Sequence, residues 1–198
     1  MAPLPDPHAY RTPDHDIDPL FIERWSPRAM SGEAITRGEM LRLFEAARWA
    51  ASTYNEQEWR FVYALRGTPH FERLFGLLNE GNRAWCGRAA MLCVVCSRRV
   101  FEKNGKPNPV HVFDSGLAFA NLALQGTRMG LVVHGMQGFD FERARSELRV
   151  PEDHGVNAMF AVGRPGNPAD LPEQLRERER PSGRKPVEEI ILEGGFGA

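Results

Sequence analysis

The sequence predicts a mixed fold in which helices and strands interleave, and three observations lead there. The chain has 198 residues, 42% of them hydrophobic and 10% aromatic, enough apolar side chain for one core, in one domain or two very small ones. Segments with helical spacing alternate with short β-branched or apolar runs along most of its length. The first 19 residues break the pattern: Pro3, Pro5, Pro7, Pro13 and Pro19 stand among polar residues, which prevents a continuous helix and predicts an extended arm ahead of a domain at 20–198.

Thr36-Arg37-Gly38-Glu39 has the form of a capping box, in which a hydroxyl and a carboxylate satisfy orphan amides reciprocally. Met40, Leu43, Phe44, Ala47 and Ala51 then recur on one face, so a helix is expected over 37–51. Residues 60–65 are β-branched and aromatic and read as a strand. Thr68-Pro69 opens a second helix with Phe71, Leu74, Phe75 and Leu78 on one face and Gly81 as its stop. The apolar run at 91–96 suits a strand buried on both sides. Asp114 is expected to cap the next helix, which is apolar most of the way round (Leu117, Ala118, Ala120, Leu122, Leu124) and ends at Gly130. Strands at 131–133 and 158–162 flank a short helix at 140–149 that Pro151 halts. After a polar linker at 171–185, residues 189–192 read as a lone strand that needs a sheet edge, on its own domain or on a partner chain.

Charge removes several function classes. Lys and Arg number 25 against 26 Asp and Glu, for a net charge of −1, so there is no global basic field for nucleic acid and any anion must be bound locally. Cys86, Cys93 and Cys96 cannot all pair and sit close together, which points to a reducing compartment. The N-terminus has no basic segment followed by an apolar one, and no run approaches the ~20 apolar residues of a membrane helix, so the expectation is a cytoplasmic protein that engages no membrane.

Familiar hydrolytic motifs are missing: there is no Gly-x-Ser-x-Gly elbow, no phosphate-binding Gly-x4-Gly-Lys-Ser/Thr loop and no His-Glu-x-x-His helix. Cys93-Val-Val-Cys96 has redox spacing but lies in an apolar strand, where a thiolate is disfavoured, and reads as core. Asp14, Asp16 and Asp18 alternate as in a calcium loop but lack its glycine and distal glutamate, and read as a solvated acidic arm. His111, Asp114, His134 and His154 show no characteristic ligand spacing, and no metal is expected.

Four segments rise above this background. In Arg24-Trp25-Ser26-Pro27-Arg28, two guanidinium groups and a hydroxyl at alternating positions project to one side and suit an anion, although a solvated edge would look the same. Residues 51–59, Ala-Ser-Thr-Tyr-Asn-Glu-Gln-Glu-Trp, gather hydroxyl and amide groups into a turn between a helix and a strand; a merely capped loop is the plain alternative. Gly135-Met136-Gln137-Gly138-Phe139 lets backbone approach a flat ligand closely, and Arg184-Lys185-Pro186 precedes the last strand.

In this order and spacing the four segments resemble the nitroreductase family of FMN-dependent oxidoreductases, over 20–195. Arg24, Ser26 and Arg28 match its Arg-x-Ser-x-Arg/Lys opening. Ser52, Thr53, Asn55, Gln57 and Trp59 match its Pro-Ser-Ser-x-Asn-x-Gln-Pro-Trp loop; Asn82 matches an asparagine ahead of an Ala-Pro and a strand. Gln137, Gly138 and Phe139 match its glycine turn, and Arg184 its late phosphate-binding arginine. Ala51, Glu58, Ala90 and Gly135 stand where the family has proline.

The resemblance implies an α+β fold with a central, mainly antiparallel sheet, and a homodimer whose C-terminal strand crosses to the partner, with FMN at the interface. It further implies that Arg24 and Arg184 hold the FMN phosphate, and that Ser26, Ser52, Thr53, Asn55 and Asn82 bond the ribityl chain and ring edge. Arg28 would face flavin N1 and the C2 carbonyl, Trp25 and Met136 would flank the cofactor, and Gln137 and the Gly138 amide would face N5 as the catalytic positions. NADH or NADPH would donate hydride in a ping-pong cycle to a flat small-molecule acceptor such as a nitroaromatic or quinone. A flavin store or sensor without turnover, and a dimeric interaction protein that has lost the cofactor, are the alternatives.

Overall fold

A four-stranded antiparallel sheet lies between two helical layers in the computed structural model, which describes residues 3–196. In chain order the elements are α1 (Pro19–Glu23), α2 (Arg37–Arg48), β1 (Trp59–Leu65), α3 (Pro69–Leu77), α4 (Glu80–Cys86), β2 (Met91–Arg98), α5 (His111–Arg128), β3 (Val132–Met136), α6 (Phe141–Glu147), β4 (His154–Gly163) and α7 (Glu173–Arg176). The sheet order is β1-β2-β4-β3. The fold is α+β, as expected.

Strand β2 explains the layering. Its side chains alternate, so Met91, Cys93 and Val95 enter a core with Leu43 and Ala47 of α2 and Ala118 and Leu122 of α5. Leu92, Val94 and Cys96 enter a second core with Leu74 of α3, Trp85 of α4 and Ala144 of α6. Both faces are covered, which is why the run reads as continuously apolar; each fully buried aliphatic chain contributes about 1.5–3 kcal/mol. A bulge between Val95 and Cys96 leaves Asn157 of β4 without a partner in the ladder. Gly126 lets α5 approach β3, since a Cβ there would lie 2.5 Å from a methyl of Val133.

Local signals were mostly placed correctly, with informative exceptions. The capping box forms in full: Glu39 N–H donates to Thr36 Oγ1 (3.1 Å), and Thr36 N–H to Glu39 Oε2 (2.7 Å). Helix α2 stops at Arg48 rather than 51, because Trp49 N–H and the Asn121 amide both bond the Ala46 carbonyl and close the last turn. Gly81 does not stop α3; the helix ends at Leu77, and Asn79 starts α4 by accepting from Asn82 N–H (3.0 Å), which puts Gly81 inside α4. Asp114 is not the cap of α5, which begins at His111; its buried carboxylate bonds a distant loop.

The expected strand at 189–192 does not form in the single chain. Residues Val187–Glu189 make a 3-10 turn, and Ile190, Ile191 and Leu192 are exposed, with no ladder on the chain's own sheet. A strand without an edge gains no hydrogen bonds, so β-propensity alone does not shape it. The N-terminal arm is extended yet tied down. Asp18 caps α1 by accepting from Leu20 N–H (2.8 Å), and Asp14 accepts from Val187 N–H (3.0 Å), so these carboxylates are more than a solvated run. All three cysteines are free and buried, and burial pushes their thiols up, Cys96 to about 11. No described helix is long and apolar enough to cross a membrane.

Candidate functional site

The two ends of the chain meet at a cluster of arginines. Arg24 follows α1 with its Nη1 toward Ser26 Oγ (3.4 Å), and its carbonyl accepts from Arg11 Nη1 (2.9 Å). Arg11 also donates to the carbonyls of Ile22 (2.7 Å) and Ser182 (2.9 Å). Arg184 donates to the same Ser182 carbonyl (3.3 Å). Backbone acceptors thereby hold the Arg11 and Arg184 guanidinium groups, and Arg11 holds the backbone of Arg24. Burial first, then the Arg184 charge, hold Arg24 below the ordinary arginine value; Arg11 is lowered by burial, then Arg184, then Arg24. Sequence reasoning paired Arg24 with Ser26 and Arg184 but missed Arg11, whose proline-rich surroundings carry no local signal.

Arg28 is differently placed. Its own N–H and that of Ala29 donate to Glu179 Oε1 (2.6 and 2.8 Å), and its Nη1 lies 3.7 Å from Glu179 Oε2. Glu179 is fully buried at its side chain, and Oε2 has no hydrogen-bond partner, so the Arg28 charge is the field that compensates it. Trp25 is half-buried next to this pair. His134 of β3 bonds the Pro27 carbonyl through Nδ1 (2.9 Å) and packs on the Trp85 ring at 4.5 Å, pinning the 24–28 segment to the sheet. Burial lowers His134 to about 4, so it is neutral and its Nδ1–H is the donor.

Asn82 and Gly138 come together. The Asn82 amide donates to the Gly138 carbonyl (3.0 Å), which also accepts from Asn79 N–H (3.0 Å), and Trp85 Nε1–H holds the Asn82 oxygen (3.3 Å). A Cβ at Gly138 would sit 2.5 Å from the Asn79 amide nitrogen and 2.6 Å from that of Asn82, so only glycine fits. Gln137 is exposed beside it. Met136 is not a surface contact: its side chain is buried in the core, with Sδ 3.5 Å from Cys86 Sγ, because strand alternation turns it inward. Gly135, one position earlier, borders an apolar recess of about 150 Å³ lined by Phe119, Val95, Val112 and Met159.

Ser52, Thr53 and Asn55 lie in a separate group. Their loop precedes β1 and rests on α5: Thr53 N–H donates to Asp114 Oδ2 (2.8 Å), and Gln57 N–H to Ser52 Oγ (3.0 Å). Tyr54, Asn55 and Gln57 have φ of 53°, 57° and 49°, left-handed values that only asparagine among them adopts readily. Below the loop Glu58 is fully buried, with Oε1 accepting from Asn108 (2.8 Å) and Oε2 unpartnered. Burial first, then the charge of the nearby Asp114, raise Glu58 above the ordinary carboxylate value. Among the described residues no hydrogen bond or ion pair joins this loop to Arg24, Asn82, Gly138 or Arg184. A cavity of about 640 Å³ between β1, α3 and α6 contains none of the predicted site residues.

Comparison with known proteins finds likeness over most of the chain. A family model described as "Nitroreductase family" matches residues 22–70 and 66–164. A solved structure of an oxidoreductase containing FMN superposes with a TM-score of 0.90 at 38% identity, covering 94% of this chain and 96% of that one. An uncharacterized 15.4 kDa protein of Mycolicibacterium smegmatis is 32% identical over 147 residues, 70% of this chain and 97% of its own length. A Streptomyces coelicolor protein named as an NADH dehydrogenase/NAD(P)H nitroreductase is 24% identical over 186 residues, 84% of this chain and 89% of its own.

Proposed function

The chain belongs to the nitroreductase family, and from that premise we propose that it is an FMN-dependent NAD(P)H oxidoreductase working on a flat small-molecule acceptor, as a cytoplasmic homodimer. One observation carries the reading: Arg24, Ser26 and Arg184, from opposite ends of the chain, converge where a phosphate dianion would offset their repulsion. The relative at 38% identity, itself an oxidoreductase containing FMN, supports it.

The residues fit the group. Arg24, Arg184 and Ser26 would hold the phosphate, Asn82 the ring edge, and the narrow Gly138 turn the reacting edge; among the described residues the Gly138 N–H has no acceptor and is free to donate. Bound flavin supplies the two-electron chemistry, accepting from a nicotinamide and passing on to the acceptor. The protein orients and tunes. Arg28 would bring positive charge toward N1 and the C2 carbonyl, and Glu179 moderates that charge. Neutral His134 holds the arginine segment without adding a further cation. No hydrogen bond among the described residues ties Ser52, Thr53 and Asn55 to this cluster, which fits their contribution from a second copy. Exposed Tyr54, Phe113 and Trp49 are the apolar surface such a contact would cover.

The purified protein should carry a flavin spectrum that bleaches anaerobically with NADH or NADPH and recovers with a quinone. A yellow protein that does not bleach would move the reading to flavin storage or sensing. A colourless protein that takes up no added FMN would overturn it.

A further inference from the structure

We infer that Arg11, on the proline-rich N-terminal arm, is a third phosphate-binding arginine, and that the arm therefore helps this site choose phosphorylated over unphosphorylated flavin. The inference rests on the FMN reading above and extends it to a segment that the family's motifs do not include.

Arg11 is held by three backbone carbonyls, those of Ile22, Arg24 and Ser182, which engage Nε and Nη1. Carbonyls orient a guanidinium group without cancelling its charge. Arg184 shares the Ser182 acceptor with it, and the Arg24 backbone is in its grip, so the three cations are fixed at close range. None of the three has a carboxylate within ion-pair distance among the described residues, whereas Arg28, Arg48, Arg98, Arg143 and Arg164 all do. The arm's own Asp14 is spent on the Val187 amide. Gathering permanent like charges is unfavourable unless an anion joins them, and a phosphate monoester carries about −1.5 to −2 at neutral pH. The Nη2 group of Arg11, with no acceptor among the described residues, is the donor left to meet it.

The plain alternative is that Arg11 only pins the arm to the tail. Four full-length apoproteins separate the two: wild type, Arg11→Ala, Arg11→Lys, and Asp14→Ala, which loosens the same arm without touching the cations. Flavin fluorescence gives the dissociation constants for FMN and for riboflavin, inorganic phosphate serves as a competitor of FMN, and a thermal melt confirms folding. Arg11→Ala is expected to weaken FMN at least about 10-fold and riboflavin less than 2-fold, with Arg11→Lys between and Asp14→Ala unselective. Phosphate should compete less well in Arg11→Ala. Equal losses for the two flavins, a selective loss in Asp14→Ala as well, or unchanged FMN affinity would each overturn the inference while leaving the FMN reading intact. A wild type that binds neither flavin would sink that reading, and the inference with it.

Discussion

The arginine end and the loop end of the candidate site both collect like charges, and they relieve them in opposite ways. Arg11, Arg24 and Arg184 carry the permanent guanidinium charge, and no carboxylate among the described residues pairs with them, so nothing inside the protein removes their repulsion. Glu58 and Asp114 are both buried carboxylates, and burial with the Asp114 charge raises Glu58, so a group inside the protein can relieve the repulsion by taking up a proton. A permanent charge cluster therefore marks where something from outside belongs, whereas a titratable one can be internal scaffolding. The first end is clasped by long-range backbone contacts; the second is shaped by three left-handed residues over a buried acid.

Three substitutions probe that contrast. Asp114→Ala should have the largest effect on stability, because it orphans the Thr53 amide and removes a buried carboxylate; about 1–3 kcal/mol should be lost, read by chemical denaturation. Arg24→Ala should behave oppositely. Apoprotein stability should change by less than about 1 kcal/mol, since repulsion is relieved, while FMN affinity in a fluorescence titration falls roughly 30–100-fold. If Arg24→Ala destabilised the apoprotein as much as Asp114→Ala, the two ends would not differ in kind.

The smallest effect concerns pH. Glu58 binds its proton more tightly folded than unfolded, so its favourable contribution is complete below the ordinary carboxylate value of 4.5 and is lost as pH rises toward the higher folded value. Glu58→Gln keeps a neutral donor to Asp114 and removes that titration. Melting curves from pH 5 to 9 should show the variant gaining on wild type as pH rises, by a few degrees at the alkaline end. A constant offset between the two would mean Glu58 is not the proton carrier.

The fold was legible because its signals are local. The capping box, the continuous apolar run of β2 and the apolar face of α3 each need only their own few residues. Of the site, Arg24 with Ser26 was readable from spacing, and Asn82 and Gly138 separately from the family resemblance; the structure brings Arg24 to Ser26 and, unforeseen as a pair, Asn82 to Gly138. Arg11, Glu179 and Asp114 were not, since each acts on a segment remote in sequence: Arg11 on Ser182, Glu179 on Arg28, Asp114 on Thr53. Glu58 left a trace, a charge directly ahead of an apolar strand in place of a proline, but only the facing carboxylate gives that charge a purpose. The 189–192 segment forms no strand in the single chain, because propensity says nothing about whether an edge is at hand.

The three buried thiols have a use beyond packing. Cys86 and Cys96 lie in one helical layer's core and Cys93 in the other, and none reacts while its surroundings stay closed, because burial suppresses the thiolate. They act as built-in clocks for opening. Alkylation timed by mass spectrometry would report when each side of the sheet first parts, so the order in which the two layers come undone can be followed without adding a single label to the chain.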